Sequence, residues 1–181
     1  EDDPLFKELL EKLLKAPLDR NYSVCLMAMA LEEIDRVKYQ GRILQCAQFL
    51  ADNQCENGQW TYGQPTTYEE DKSVATNGGG STASSGGPAL GSRPVPLFGG
   101  SVKPPPPGTR VKPTVRQKRP VTPKRTGPAA GDNSNSQYAS LGIRACHDAG
   151  IVFPAVFIQK ARKWWAECQQ GANERQRNER P

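Results

Sequence analysis

RILQCAQFLADNQCENGQWTYG, residues 42–63, joins a helical apolar period to a Gln–Gly–Trp pattern. In its first half Ile43, Cys46, Ala47 and Leu50 are apolar, while Arg42, Gln45, Gln48 and Asp52 fall between them. That spacing places the apolar residues on one face of a helix. It predicts a helix over 39–55 with its other face in water. The helix stops at a fixed pattern: Gln54, then Gly58, then Trp60. A Gln side chain at a helix end can bond backbone groups that the helix leaves open. Gly58 permits a tight turn. Trp60 can cover the corner, provided its N–H finds an acceptor.

Upstream, Leu5, Phe6, Leu9, Leu10, Leu13 and Leu14 have helical spacing behind Pro4, so a helix is predicted over 4–15 and Pro17 ends it. Residues 21–35, NYSVCLMAMALEEID, are apolar on nearly every side as far as Leu31. Such a helix is expected to be buried all round. Asp19 or Asn21 is positioned to cap it.

Downstream the composition changes. Residues 65–131 carry ten Lys or Arg against three Asp or Glu, while the rest of the chain holds 14 basic and 16 acidic residues. The formal charge of +5 therefore belongs to the middle, not to the helical flanks. The middle contains Gly78-Gly79-Gly80, a proline run at 104–107 and TRVKPTVRQKRPVTPKRTGP, and it has no hydrophobic period. It is predicted to be disordered, with polyproline II character in its Pro-rich half. Helical spacing resumes after Asp132. Ser134 and Gln137 fit a capping box. Tyr138, Leu141, Gly142, Ala145 and Ala149 line one side, and Gly150 ends the helix. A last helix opens at Pro154 and carries Val156, Phe157, Ile158, Ala161, Trp164, Trp165 and Cys168.

The two helical regions are copies. Ser23–Met29 sits over Gln137–Ile143 at an offset of 114, and Phe49-Leu50 and Gln54 sit over Trp164-Trp165 and Gln169 at 115. Each unit reads as a buried helix, a turn, a half-exposed helix and a Gln. The organisation expected is a leading helix and first hairpin (4–63), a disordered basic insertion (64–131), a second hairpin (132–170) and a frayed polar tail (171–181).

Phe49-Leu50 followed by QCENGQW resembles the QW repeat of squalene–hopene cyclases. The paired helices resemble the α/α toroid that those cyclases share with protein prenyltransferase β-subunits and the thioester domain of complement-like proteins. Asn133–Ala139 and Ala161–Trp165 are similar to bacterial proteins with prenyltransferase/squalene-oxidase repeats, which are abundant in planctomycetes. The resemblance covers about 4–63 and 132–170. It implies that Phe49, Gln54, Gly58 and Trp60, with Trp164, Trp165 and Gln169 in the second copy, are structural signature residues bracing an outer helix against its neighbour. No Gly-x-Trp follows Gln169, so the second copy is degenerate or cut short.

The chemistry of the resembled enzymes is missing from these residues. No DxDD occurs, and Asp132 stands alone, so it reads as a cap or turn residue. Cys146-His147-Asp148 offers zinc-ligand types, but consecutive helical residues point about 100° apart and cannot share one metal. Cys55-Glu56-Asn57-Gly58 is not the Cys-Gly-Glu-Gln of thioester proteins. No P-loop is present. The basic insertion lacks interleaved aromatics, so nucleic acid is not the expected partner. The five cysteines are odd in number and without CxxC spacing, and they read as free thiols.

The expectation is an all-α, incomplete α/α toroid, cropped from a longer protein. It is a non-catalytic repeat module that takes no cofactor or metal. It would bind a neighbouring repeat of the same or another chain, a protein partner, or an apolar ligand on its concave side. The alternative is part of a terpenoid cyclase or prenyltransferase-like enzyme whose catalytic residues lie elsewhere. No signal peptide and no membrane-spanning run is visible, and the compartment stays open.

Overall fold

A computed structural model describes residues 3–68 and 112–178, with side chains to 169. All of them fall in one compact unit formed by 1–71 and 112–181. The core of the basic insertion, 69–111, lies outside the described residues. The described part is mostly helical: α1 (Pro4–Lys15), α2 (Asn21–Asp35), α3 (Gln40–Asp52), β1 (Arg119–Pro120), α4 (Asn133–Asp148), β2 (Ile151–Val152) and α5 (Ala155–Asn178). No helix among the described residues is long and apolar enough to cross a membrane.

Local chemistry explains the helix limits. Asp3 Oδ1 accepts from Leu5 N at 2.7 Å and starts α1, with Pro4 in its first turn. Leu10, Leu13 and Leu14 then pack on the core, while Leu5 and Leu9 face solvent. The expected caps of α2 are not used. Arg20 holds the cap position without a side-chain bond, and Asn21 N donates to Tyr62 O at 2.7 Å. At α4 the cap is Asp132, accepting from Asn135 N at 2.8 Å, in place of the expected Ser134–Gln137 box. Gly150, at φ 82°, ends the turn after α4.

α2 and α4 lie side by side and run the same way. Asn21 Nδ2 donates to Asn135 O (2.8 Å) and Oδ1 (3.2 Å) at their starts. One to two turns on, Gly142 admits Cys25, whose Sγ and Cα would lie 3.0 and 3.1 Å from any Cβ there. α3 closes the core against both, with Ile43, Cys46, Ala47, Phe49 and Leu50 buried.

Two burial expectations are corrected. α2 is not buried all round, since Leu26 is 51% exposed. α3 does not have one face in water, since Gln40, Phe49 and Asp52 are also buried. A strap formed by 112–131 accounts for the second difference. These residues were expected in the disordered insertion, yet 112–113 bond to the end of α2, 117–125 to α3 and 128–129 to the corner after it. Gln40 Nε2 donates to Gln117 O (2.8 Å) and Ala149 O (2.9 Å). Gln48 Nε2 donates to Thr122 O at 2.8 Å. Arg119-Pro120 pairs in parallel with Ile151-Val152, and Val121 is buried. Lys112 bridges Glu32 and Glu33 at 2.8 and 2.5 Å. Extended Pro-rich backbone has no internal hydrogen bonds, so it takes partners from polar side chains on a neighbour. That is also why no hydrophobic period marked it.

Asp52 fastens the strap. Its carboxylate accepts from Lys124 N (2.6 Å), Gln48 Nε2 (2.9 Å) and the Thr66 hydroxyl, with no exposure to solvent. Asp52→Ala orphans these donors and is expected to cost about 1–3 kcal/mol. Limited proteolysis checks it: cleavage within 112–131 should accelerate before the helical core is cut.

Candidate functional site

The signature residues converge on the corner after α3. Trp60 has no exposed surface. Its Nε1 donates to Leu50 O at 2.9 Å, one of the last α3 carbonyls, which the helix itself leaves without a partner. Its ring meets Phe157 edge-on at 5.6 Å, and Phe157 stacks on Phe153 at 4.8 Å. Gln54 Nε2 donates to Phe157 O at 2.9 Å. This is a carbonyl in the first turn of α5 rather than an open group at the end of α3. Gly58 has φ 94°, and a Cβ there would stand 2.3 Å from Lys160 O. The corner therefore clamps the start of α5 onto the end of α3.

The rest of the signature divides. Phe49 is buried beneath Gly63, where a Cβ would come within 2.4 Å of its ring. Trp164 and Trp165 touch each other edge-on at 4.8 Å but are half-exposed, and Gln169 is exposed. The frayed tail expected from 171 is, in its backbone, a continuation of α5 to Asn178. Gln169 thus stands inside a helix, where its counterpart Gln54 stands past the end of one.

Several residues at this corner escaped sequence reasoning. Ser136 Oγ accepts from Trp60 N at 3.1 Å, and Asp132 N donates to Trp60 O at 3.0 Å. Gly131 lets that backbone approach, since a Cβ would sit 2.2 Å from Trp60 O. Asn21 and Asn135 had a legible signal: the repeat offset of 114, extended two residues upstream, joins them.

The chemical candidates separate in space. Asp132 serves as a cap. Burial raises its pKa, but the Asn135 amide and the Ser134 and Asn135 side chains outweigh that and hold it below the usual range. Cys146 is buried, with its thiol 3.8 Å from Ile43 O, whereas His147 and Asp148 face solvent. A surface cleft of about 350 Å³ is lined by Asn53, Tyr62, Gln64 and Arg125. The Arg125 guanidinium there is engaged with Asp52 O, Asn53 Oδ1 and Gln64 O at 3.2, 3.0 and 2.6 Å. On the α2–α4 surface Tyr22 and Tyr138 meet at 4.4 Å, with Leu26 and Leu141 exposed.

Cys25, Cys46, Cys55 and Cys146 are buried free thiols, and Cys168 is exposed. Burial pushes the Cys46 thiol up to about 12, and burial together with neighbouring thiols also raises Cys25 and Cys146. Buried protonated thiols are unreactive. Ellman's reagent should therefore titrate one thiol rapidly in the native chain and five after unfolding. Because the folded pKa values lie above the unfolded ones, this contribution to stability is full below about pH 9 and is lost above it.

No family model, curated protein or solved structure matches this chain.

Proposed function

We propose that this chain is a non-catalytic repeat module of the α/α-toroid kind, whose α5 side docks protein. One contrast carries the reading. Phe49 and Leu50 in the first unit are fully buried, whereas Trp164 and Trp165, their counterparts in the second, are half-exposed. Repeat units bury their apolar faces on neighbours, so an uncovered face at the end of a stack marks where a further helical element sits. A clamp such as Gln54–Gly58–Trp60 orders a helix and leaves its own polar groups bonded. It presents no nucleophile, acid or metal ligand pair to a substrate.

Isoprenoid binding tests the reading. Farnesyl diphosphate, and a detergent-dispersed linear isoprenoid, should give no saturable change in tryptophan fluorescence up to about 100 μM, the range in which weak specific sites fill. Turnover of either probe would replace the module with the terpenoid-enzyme alternative, and saturable binding without turnover would replace the protein partner with an apolar ligand.

A further inference from the structure

Asn57-Gly58, in the corner after α3, is one of the two Asn-Gly pairs of the chain; the other, Asn77-Gly78, lies outside the described residues. Asn-Gly is a turn dipeptide. It is also the pair in which asparagine most readily loses its amide, because a following glycine has no side chain to hinder its own backbone nitrogen. That nitrogen gives up its proton to solvent and attacks the Asn Cγ, ammonia leaves, and a succinimide ring closes. Water then opens the ring at either carbonyl, which leaves aspartate or isoaspartate.

In the folded corner every atom that must react is engaged. The Gly58 N–H donates to Cys55 O at 3.0 Å, so the proton that must leave first is held. Asn57 Oδ1 accepts from Gln59 N at 3.0 Å, as in an Asx turn. Asn57 Nδ2, the leaving group, donates to Gln59 Oε1 at 2.7 Å. Glu56 N and Asn57 N donate to Pro128 O and Ala129 O at 3.0 and 3.2 Å and hold the turn from outside. Gly58 is buried against Lys160 O, whereas Asn57 is exposed and open to water.

We infer that Asn57 is a site of spontaneous deamidation, suppressed while the corner is closed, whose product keeps the corner from closing again. An aspartate at 57 keeps the acceptor for Gln59 N. It puts its second oxygen where Nδ2 stood, 2.7 Å from Gln59 Oε1, acceptor against acceptor. Gln59 cannot turn its amide to meet that oxygen without losing Asn133 Oδ1 (3.2 Å) and Gly131 N (3.3 Å). Isoaspartate routes the backbone through the side chain and lengthens it by a carbon immediately before Gly58. There is no room for the shift, since a Cβ on Gly58 would already lie 2.3 Å from Lys160 O. Each event therefore takes one molecule irreversibly out of the state in which α5 is clamped. This chemistry is independent of whether α5 docks protein.

Incubation of the full chain at mildly alkaline pH, followed by peptide mass spectrometry, tests this. Residue 57 should deamidate at least about tenfold more slowly in buffer than in urea at the same pH, because the folded reaction waits on local opening. Gln54→Ala removes the bond to Phe157 O and should speed the folded reaction about tenfold. Val24→Ala truncates a buried side chain of α2 and lowers global stability, but it should leave the folded rate within about twofold, since only the corner has to open. Circular dichroism checks that both variants are folded. Asn57→Asp installs one product directly and should speed hydrogen exchange over 155–163. Equal rates in buffer and urea, an acceleration by Val24→Ala as large as that by Gln54→Ala, or an Asn57→Asp chain whose α5 exchanges as slowly as wild type would each overturn the inference.

Discussion

Trp60→Ala is expected to cost about 3–5 kcal/mol, the range for removing a fully buried large aromatic. Stability in a domain of this size is about 5–15 kcal/mol, so this single change removes a large share of it. Two losses combine. The ring that supports Phe157 goes, and Leu50 O loses the indole N–H that completes the end of α3. Trp60→Phe separates them. It keeps an aromatic beside Phe157 while removing the donor and part of the buried ring, so it should cost less than the Ala variant, about 1–3 kcal/mol. Urea unfolding followed by circular dichroism measures both, because the signal does not depend on the tryptophan removed. An Ala variant within about 1 kcal/mol of wild type, a shift typical of a surface substitution and its error, would mean that the corner is not the keystone of the packing.

Gly58→Ala should detach the start of α5 while leaving α2, α3 and α4 packed. The substitution places a side chain at φ 94°, a conformation that costs an L-residue about 1–2 kcal/mol. It also drives a Cβ to 2.3 Å from Lys160 O, a backbone atom that cannot rotate away. Overpacking of that kind adds about 1–3 kcal/mol. The cheapest relief is for α5 to move off, which breaks the Gln54–Phe157 bond and exposes Phe157. Hydrogen exchange should therefore speed up over 155–163 and stay slow in α2 and α4. Uniformly faster exchange across the whole chain would show instead that α5 and the core unfold as one unit. Gly63→Ala is a useful comparison. Its φ is also positive at 86°, but the clash is with the tip of the Phe49 ring, which can shift.

Much of this fold was legible because local rules wrote it. The bounds of α1 and α2 followed from Pro4, Pro17 and the apolar period. The corner followed from Gln54, Gly58 and Trp60, residue types that suit a helix end, a tight turn and a capped seam. What misled was reading each helix by itself. The apolar surround of α2 suggested complete burial, yet Leu26 and Leu141 stay on the surface beside the Tyr22–Tyr138 contact. The polar side of α3 suggested solvent, yet Gln40, Gln48 and Asp52 bind the strap. A polar residue on a helix has the same appearance in sequence whether water or a distant backbone receives its hydrogen bond.

Apolar period and turn residues were enough to place α1 and α2 and to mark Gln54, Gly58 and Trp60 as the corner after α3. These depend on contacts within a few residues, on periodicity and on backbone freedom. It took the packed chain to show that 117–125 binds α3, that Asn21 Nδ2 bonds Asn135, and that α5 leaves Trp164 and Trp165 half-exposed. Those outcomes depend on which surfaces meet across more than a hundred residues of chain, and a hydrogen-bond donor does not encode the address of its acceptor.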